Sequence, residues 1–146
     1  MTSYWYCDIE FTNNTSQTLV LEGDDIYSTS DYSTNPETGW DEAPKPRIHP
    51  GERVTFGQKS GDINWGIGGT KSYRFWGYAT YTVGLSEDRV KVDWDFPKDN
   101  DSDLPVQLTA PNGYTLKPTS WDGDRFHKTV RVELSEPIED IPLRTF

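Results

Sequence analysis

The strongest constraint on the fold is a two-residue alternation of apolar and polar side chains that recurs in short runs and never settles into a helical period. It is cleanest from Arg89 to Phe96, where Val90, Val92, Trp94 and Phe96 alternate with Arg89, Lys91, Asp93 and Asp95. Successive side chains on a pleated strand point to opposite faces, so this pattern predicts one face on a core and one in water. The same alternation runs from Tyr4 to Phe11 (Trp5, Cys7, Ile9, Phe11), through Val54 and Phe56, and from Lys128 to Leu134 (Val130, Val132, Leu134). Turn-forming segments separate the runs: Asn13-Asn14-Thr15-Ser16, Pro50-Gly51, the acidic stretch Pro97 to Asp103, and Pro111-Asn112-Gly113. Eight or nine short strands spaced in this way predict an all-β fold, an antiparallel β-sandwich. At 146 residues the chain fits a single domain spanning 1–146, which can bury roughly 70% of its unfolded surface.

Between the runs the expectations are less regular. The turn at Asn13 predicts that the first strand and Thr18 to Glu22 pair as an antiparallel hairpin. From Gly23 to Pro46 the sequence is polar and loses its period, which predicts a long loop over 23–46, with Tyr27, Tyr32 and Trp40 embedded in it. Four glycines from Gly61 to Thr70 predict an irregular connection. Ser72 to Val83 is too aromatic on both faces for a strand with one ordinary wet side, which marks one of its faces for a ligand. Trp121-Asp122-Gly123-Asp124 reads as a loop, and 135–146, broken by Pro137 and Pro142, as an extended tail.

Composition narrows the function. Fourteen basic against 24 acidic residues give a net charge of −10, and no Lys/Arg stripe exists to neutralise phosphates, so nucleic acid is excluded as a partner. Anionic lipid is disfavoured for the same reason, which leaves neutral or zwitterionic head groups as membrane targets. With Cys7 as the one cysteine, no internal disulfide or multi-thiolate metal site can form. Cys7 lies on the apolar face of the first strand, as an inert buried thiol does. No secretory leader or long apolar run is visible, which predicts cytoplasmic synthesis with release needed to reach a target membrane. The glycosylation sequons at Asn13, Asn14 and Asn100 then carry no weight.

Catalysis has little support. The two histidines, His49 and His127, flank a turn and open a strand, with no nucleophile and orienting group in the pattern of a triad. Asp99, Asp101 and Asp103 alternate as in a calcium loop, but Leu104 and Ala110 stand where that loop needs glycine and glutamate. The expectation is therefore a binding protein with no catalytic residue, metal or cofactor.

The binding candidates are aromatic. Trp40, Trp65, Trp76 and Trp121, with Tyr27, Tyr32 and Tyr78, fall in or beside predicted loops or on the doubly aromatic strand. Trp and Tyr pair an apolar body with a polar tip, which suits stacking on a sugar ring or seating at the lipid head-group level. Trp5 and Trp94 join the set as ligand contacts, though their inward register also makes them core candidates. Membrane lipid is the first expectation and a glycan, bound by a lectin-like domain, the second.

This order of features resembles one known family. The opening strand with Trp5, the turn Asn13-Asn14-Thr15-Ser16, the Ile48-His49-Pro50-Gly51-Glu52 turn, the glycines from Gly57 to Gly69 and Val92-Asp93-Trp94-Asp95-Phe96-Pro97 together resemble the aegerolysins. Trp94-Asp95-Phe96-Pro97 is similar to that family's Trp-Asp-Cys-Pro segment, with phenylalanine for cysteine. The usual Trp-Gly-Lys segment has no counterpart in 23–46, and the second tryptophan after Pro97 is missing. The resemblance implies a small acidic β-sandwich that recognises sphingolipid-containing membranes, with a larger pore-forming protein as a possible partner. A similar order of turns resembles the actinoporin-like cytolysins, but their amphipathic N-terminal helix is absent, which argues against autonomous pore formation.

Overall fold

The computed structural model describes residues 2–29, 38–61, 63–64, 73–100 and 102–137. Among these there are twelve strands and no helix: β1 (Thr2–Ser3), β2 (Tyr6–Asn14), β3 (Leu19–Ser28), β4 (Gly39–Glu42), β5 (Arg47–Ile48), β6 (Arg53–Lys59), β7 (Ile63–Asn64), β8 (Phe75–Val83), β9 (Arg89–Phe96), β10 (Val106–Thr109), β11 (Thr115–Gly123) and β12 (His127–Ser135). Two five-stranded sheets, ordered β10-β9-β8-β3-β5 and β11-β12-β2-β6-β4, form the all-β sandwich; β1 and β7 make a separate short ribbon.

The inward rows are the apolar rows of the sequence. Cys7, Ile9 and Phe11 of β2, Val54 and Phe56 of β6, and Val130, Val132 and Leu134 of β12 meet Tyr81 and Val83 of β8 and Val90, Val92, Trp94 and Phe96 of β9 in one buried core. Aromatic rings join the sheets, with Phe11 and Tyr81 centroids 6.4 Å apart and Phe56 and Trp94 6.1 Å apart. Each such buried side chain contributes about 1.5–3 kcal/mol of transfer free energy. At His49-Pro50-Gly51-Glu52 the Glu52 amide donates to the His49 carbonyl at 3.0 Å. Gly51 takes φ 77°, the left-handed backbone that the third residue of a type II turn requires.

Three expectations fail, for identifiable reasons. β2 and β3 do not form a hairpin: β2 has β12 on one side, in parallel, and β6 on the other, so no edge remains for β3. The turn carries the chain from one sheet to the other, and the sheets are not purely antiparallel. Asn13 fixes this corner from a fully buried position, its Nδ2 donating to Gln17 O at 2.8 Å and Ile48 O at 2.9 Å while Oδ1 accepts from Thr15 Oγ1 at 2.8 Å.

The long loop expected over 23–46 is also cut short, since β3 continues to Ser28 and β4 occupies Gly39–Glu42; residues 30–37, Tyr32 included, lie outside the described residues. Its period vanished because β3 carries a bulge. Leu21 pairs with Tyr81 and Gly23 with Thr80, so Glu22 is an extra residue and the faces exchange beyond it. Leu19 therefore points inward and Tyr27, eight residues on, points outward. The same slip between Pro118 and Ser120 hid the second half of β11, so Trp121 to Gly123 is strand rather than loop. A third bulge separates Trp40 from Glu42 in β4.

Candidate functional site

The outer face of the β10-β9-β8-β3-β5 sheet is not an ordinary wet surface. Register places Asp25, Tyr78 and Asp93 in one row across β3, β8 and β9, and Tyr27, Trp76 and Asp95 in the next. Trp76 and Tyr27 are 38% and 43% exposed, and they stack on each other with centroids 6.0 Å apart and planes at 20°. An open cleft of about 350 Å³ runs beside them, lined by Tyr27, Arg74, Trp76, Gly77, Tyr78, Asp93, Trp94 and Asp95. A second recess of about 310 Å³ shares Asp93, Trp94 and Asp95 and extends over β10.

Polar groups frame the rings. Tyr27 donates its hydroxyl to Asp25 Oδ2 at 3.0 Å, and Asp25 Oδ1 accepts from the Ile26 amide at 2.8 Å. That hydrogen bond, with burial and the Asp25 charge, raises the pKa of the Tyr27 phenol. Arg74 Nη2 binds both oxygens of Asp95, at 2.6 Å to Oδ1, and Lys98 Nζ lies 3.6 Å from Asp95 Oδ2. Lys91 Nζ is 3.5 Å from Asp93 Oδ1 and 4.9 Å from the centroid of Tyr78, so one face of that ring already attracts a cation.

The cleft is supported from the opposite sheet. The indole Nε1 of Trp94 donates to Gln58 Oε1 at 2.8 Å, and Gln58 Nε2 donates to Tyr27 O at 2.9 Å and Thr38 Oγ1 at 2.7 Å. One fully buried amide on β6 thus holds both the tryptophan beneath the cleft and the backbone of its outer tyrosine. Gly77 completes the floor: a Cβ there would lie 2.7 Å from Asp25 O and 2.8 Å from Trp94 Cζ2. No larger residue lets the Trp94 indole fold over β8.

The expected site residues divide accordingly. Trp76 and Tyr78, with Tyr27, come together in the cleft. Trp94 is 2% exposed and Trp5 1%; Trp94 packs beneath the cleft, whose lining it joins, and Trp5 stacks on Phe126 at 4.6 Å, so both belong to the buried core, as their inward register dictates. Trp40 packs edge-on against Trp94 at 6.0 Å from within the sandwich. Trp121 is 45% exposed on the edge strand of the other sheet, away from the cleft. Trp65 and Tyr32 lie outside the described residues. The alternating pattern assigned Asp93 and Asp95 to solvent, and Arg74 drew no reading at all; only the cross-strand register reveals that they surround the rings.

The outer face of the second sheet carries a different device. Asp8 of β2 lies against Gly57 of β6, where a Cβ would clash with its Oδ1, and that oxygen is buried without a hydrogen-bond donor. Burial, then a hydrogen bond with Asp41 and the charges of Asp41, Glu42 and Glu10, push the Asp8 carboxyl up to about 8. Among the described residues no group of three or more His, Cys, Asp or Glu is placed to hold a metal ion.

No protein-family model matches the chain, and no curated protein is significantly similar to it.

Proposed function

We propose that this protein acts by binding rather than by catalysis, and that it recognises sphingolipid-containing membranes through the aromatic cleft on the outer face of β3, β8 and β9, in the manner of the aegerolysins it resembles. The observation that carries this reading is the Tyr27–Trp76 stack. Two large rings lie half exposed on a strand face that has no core to join, where leaving apolar area in water is unfavourable without a partner. Tyr and Trp with carboxylates and basic groups beside them suit the head-group level of a bilayer. No helix of the described residues is long and apolar enough to cross a membrane, so contact through a surface cleft is the mode argued for. A larger pore-forming protein is the partner that the resemblance implies.

Replacing Trp76 by Ala tests this. Co-sedimentation with vesicles containing sphingolipid and sterol should fall about tenfold or more, equivalent to about 1.4 kcal/mol, with the folded circular dichroism signal retained. Undiminished binding by Trp76→Ala and Tyr27→Ala would reject this cleft as the site.

A second reading, a glycan-binding lectin-like domain, is favoured by the Asp93 and Asp95 carboxylates beside an exposed indole, because sugars combine a stacking face with hydroxyl donors. A glycan array distinguishes it: retention of a defined sugar with no vesicle binding would select this reading over the lipid one.

A further inference from the structure

We infer that His127 is a proton-operated latch on the N-terminal segment: its imidazolium joins the Asp124 carboxylate to the Tyr4 carbonyl, and loss of one proton releases Tyr4 and β1. The latch is built on the β11-β12-β2-β6-β4 sheet and is independent of the aromatic cleft.

Both neighbours of the ring can only accept. Nδ1 lies 3.1 Å from Asp124 Oδ1 and 3.3 Å from its Oδ2, and Nε2 lies 3.0 Å from Tyr4 O. A carbonyl oxygen has no proton to give, and neither has an ionised carboxylate. Asp124 is held in that form, because its Oδ1 also accepts from the Phe126 amide at 2.8 Å and the His127 amide at 2.9 Å. Although burial works to raise it, these amides and the imidazole together lower the Asp124 pKa. Only the imidazolium, a donor at both nitrogens, satisfies both partners. A neutral ring has one N–H. Kept on Nδ1 for the charge-assisted bond to the carboxylate, that proton leaves the Nε2 lone pair facing the Tyr4 carbonyl, which repels it.

Charges of both signs surround the ring. The Tyr6 ring packs 5.3 Å from it, and the carboxylates that act on Tyr6 are Asp124, Asp8 and Asp41; these favour the cation. Lys59 of β6 stands opposite Tyr6 with its Nζ 5.6 Å from the Tyr4 ring centroid, Arg125 turns its Nε to Lys98 O at 3.1 Å, and Lys128 is buried on the inner face; these oppose it. From Trp5 onward the chain has other anchors. The Trp5 amide donates to Ser60 Oγ at 2.8 Å, the Ser60 amide to Trp5 O at 2.9 Å and the Tyr6 amide to Phe126 O at 3.1 Å. Upstream, β1 pairs with β7 in a ribbon outside both sheets. Among the described residues, Tyr4 has one hydrogen bond to the sandwich, the one from His127. Losing it frees the backbone that precedes Trp5.

The test is NMR relaxation of the full chain at about pH 5 and about pH 8, the two ends of the range in which histidine changes charge, read at the amides of Ser3 and Tyr4. Their order parameters should fall from about 0.85 in acid to about 0.6 or below at the higher pH, while those of Ile9 and Val130 stay unchanged. His127→Ala, with its folded circular dichroism signal retained, should be loose at both. Asp124→Asn discriminates further. Its amide oxygen can still accept the backbone N–H groups while its NH2 donates to Nδ1, so a neutral ring with its proton on Nε2 satisfies Tyr4. That variant should stay ordered at about pH 8. It leaves the Asp8 carboxyl in place, so a loosening driven by Asp8 would persist in it. A segment equally ordered at both pH values in the unmodified protein, an ordered His127→Ala segment, or an Asp124→Asn protein that loosens as the unmodified one does would each overturn the latch.

Discussion

Single residues set the site through what they lack or hold. Gly77 lacks the Cβ that would meet Trp94 and Asp25 O, so Gly77→Ala forces the indole or the β3 backbone to shift. Overpacking of this kind costs about 1–3 kcal/mol, to be read as a lower urea midpoint at unchanged slope. Asp8 acts through a carboxyl whose pKa burial raises. Its unfolded carboxyl titrates near 3.8 and its folded one at about 8, so below pH 4 both states are protonated. As pH rises from there through 8, the native state retains a proton that the unfolded chain has released. Stability from this group is therefore complete in acid and is lost as pH rises through that window. Asp8→Asn removes the linkage: its melting temperature should stay flatter than that of the unmodified protein from pH 6 to 9 and exceed it at pH 9. Parallel profiles would contradict a raised Asp8 pKa.

At the scale of elements, bulges decide what the sequence could reveal. The alternation of β2, β6, β9 and β12 is uninterrupted, and those strands and their core residues were legible directly. β3 and β11 each carry one extra residue, which exchanges inner and outer faces halfway along; a period-2 reading breaks at that point and reports a loop. The signal at Glu22 was present as a change of phase between Leu19-Leu21 and Ile26, but only the pairing with β8 makes it interpretable. Order of strands was not legible either, since alternation fixes a buried face and not a neighbour, which is why β2 and β3 were expected together. The bulge also has a functional consequence. Glu22, whose Oε2 accepts from Arg89 Nε at 2.7 Å, turns Tyr27 to the outer face and Ile26 inward. Deleting Glu22 should reverse both, exposing Ile26 and turning Tyr27 inward together with the Asp25 carboxylate. A loss of about 2 kcal/mol or more in unfolding free energy and loss of vesicle binding are expected; retained binding at full stability would show that the bulge does not orient the tyrosine.

For the molecule as a whole, the sandwich separates its duties by surface. The interior is mostly apolar, with Asn13 and Gln58 as buried amides, one outer face carries Asp8 and Asp41, and the other gathers Tyr27, Trp76 and Tyr78 among charges. Half of this site was legible: the excess of aromatics from Ser72 to Val83 pointed to a ligand face, and Trp76 and Tyr78 lie on it. Trp5 and Trp94 show the limit of that signal, because an aromatic residue on a clear inward register serves packing first. The net charge of −10 disfavours anionic surfaces, so binding should survive physiological salt. The most direct test of the central claim is sedimentation of the unmodified protein with vesicles of phosphatidylcholine alone and with sphingolipid and sterol added, following tryptophan emission in parallel. Sedimentation with the sphingolipid vesicles accompanied by a blue shift, as Trp76 leaves water, is the predicted result; a protein that stays in the supernatant with both, its emission unchanged, would contradict the account.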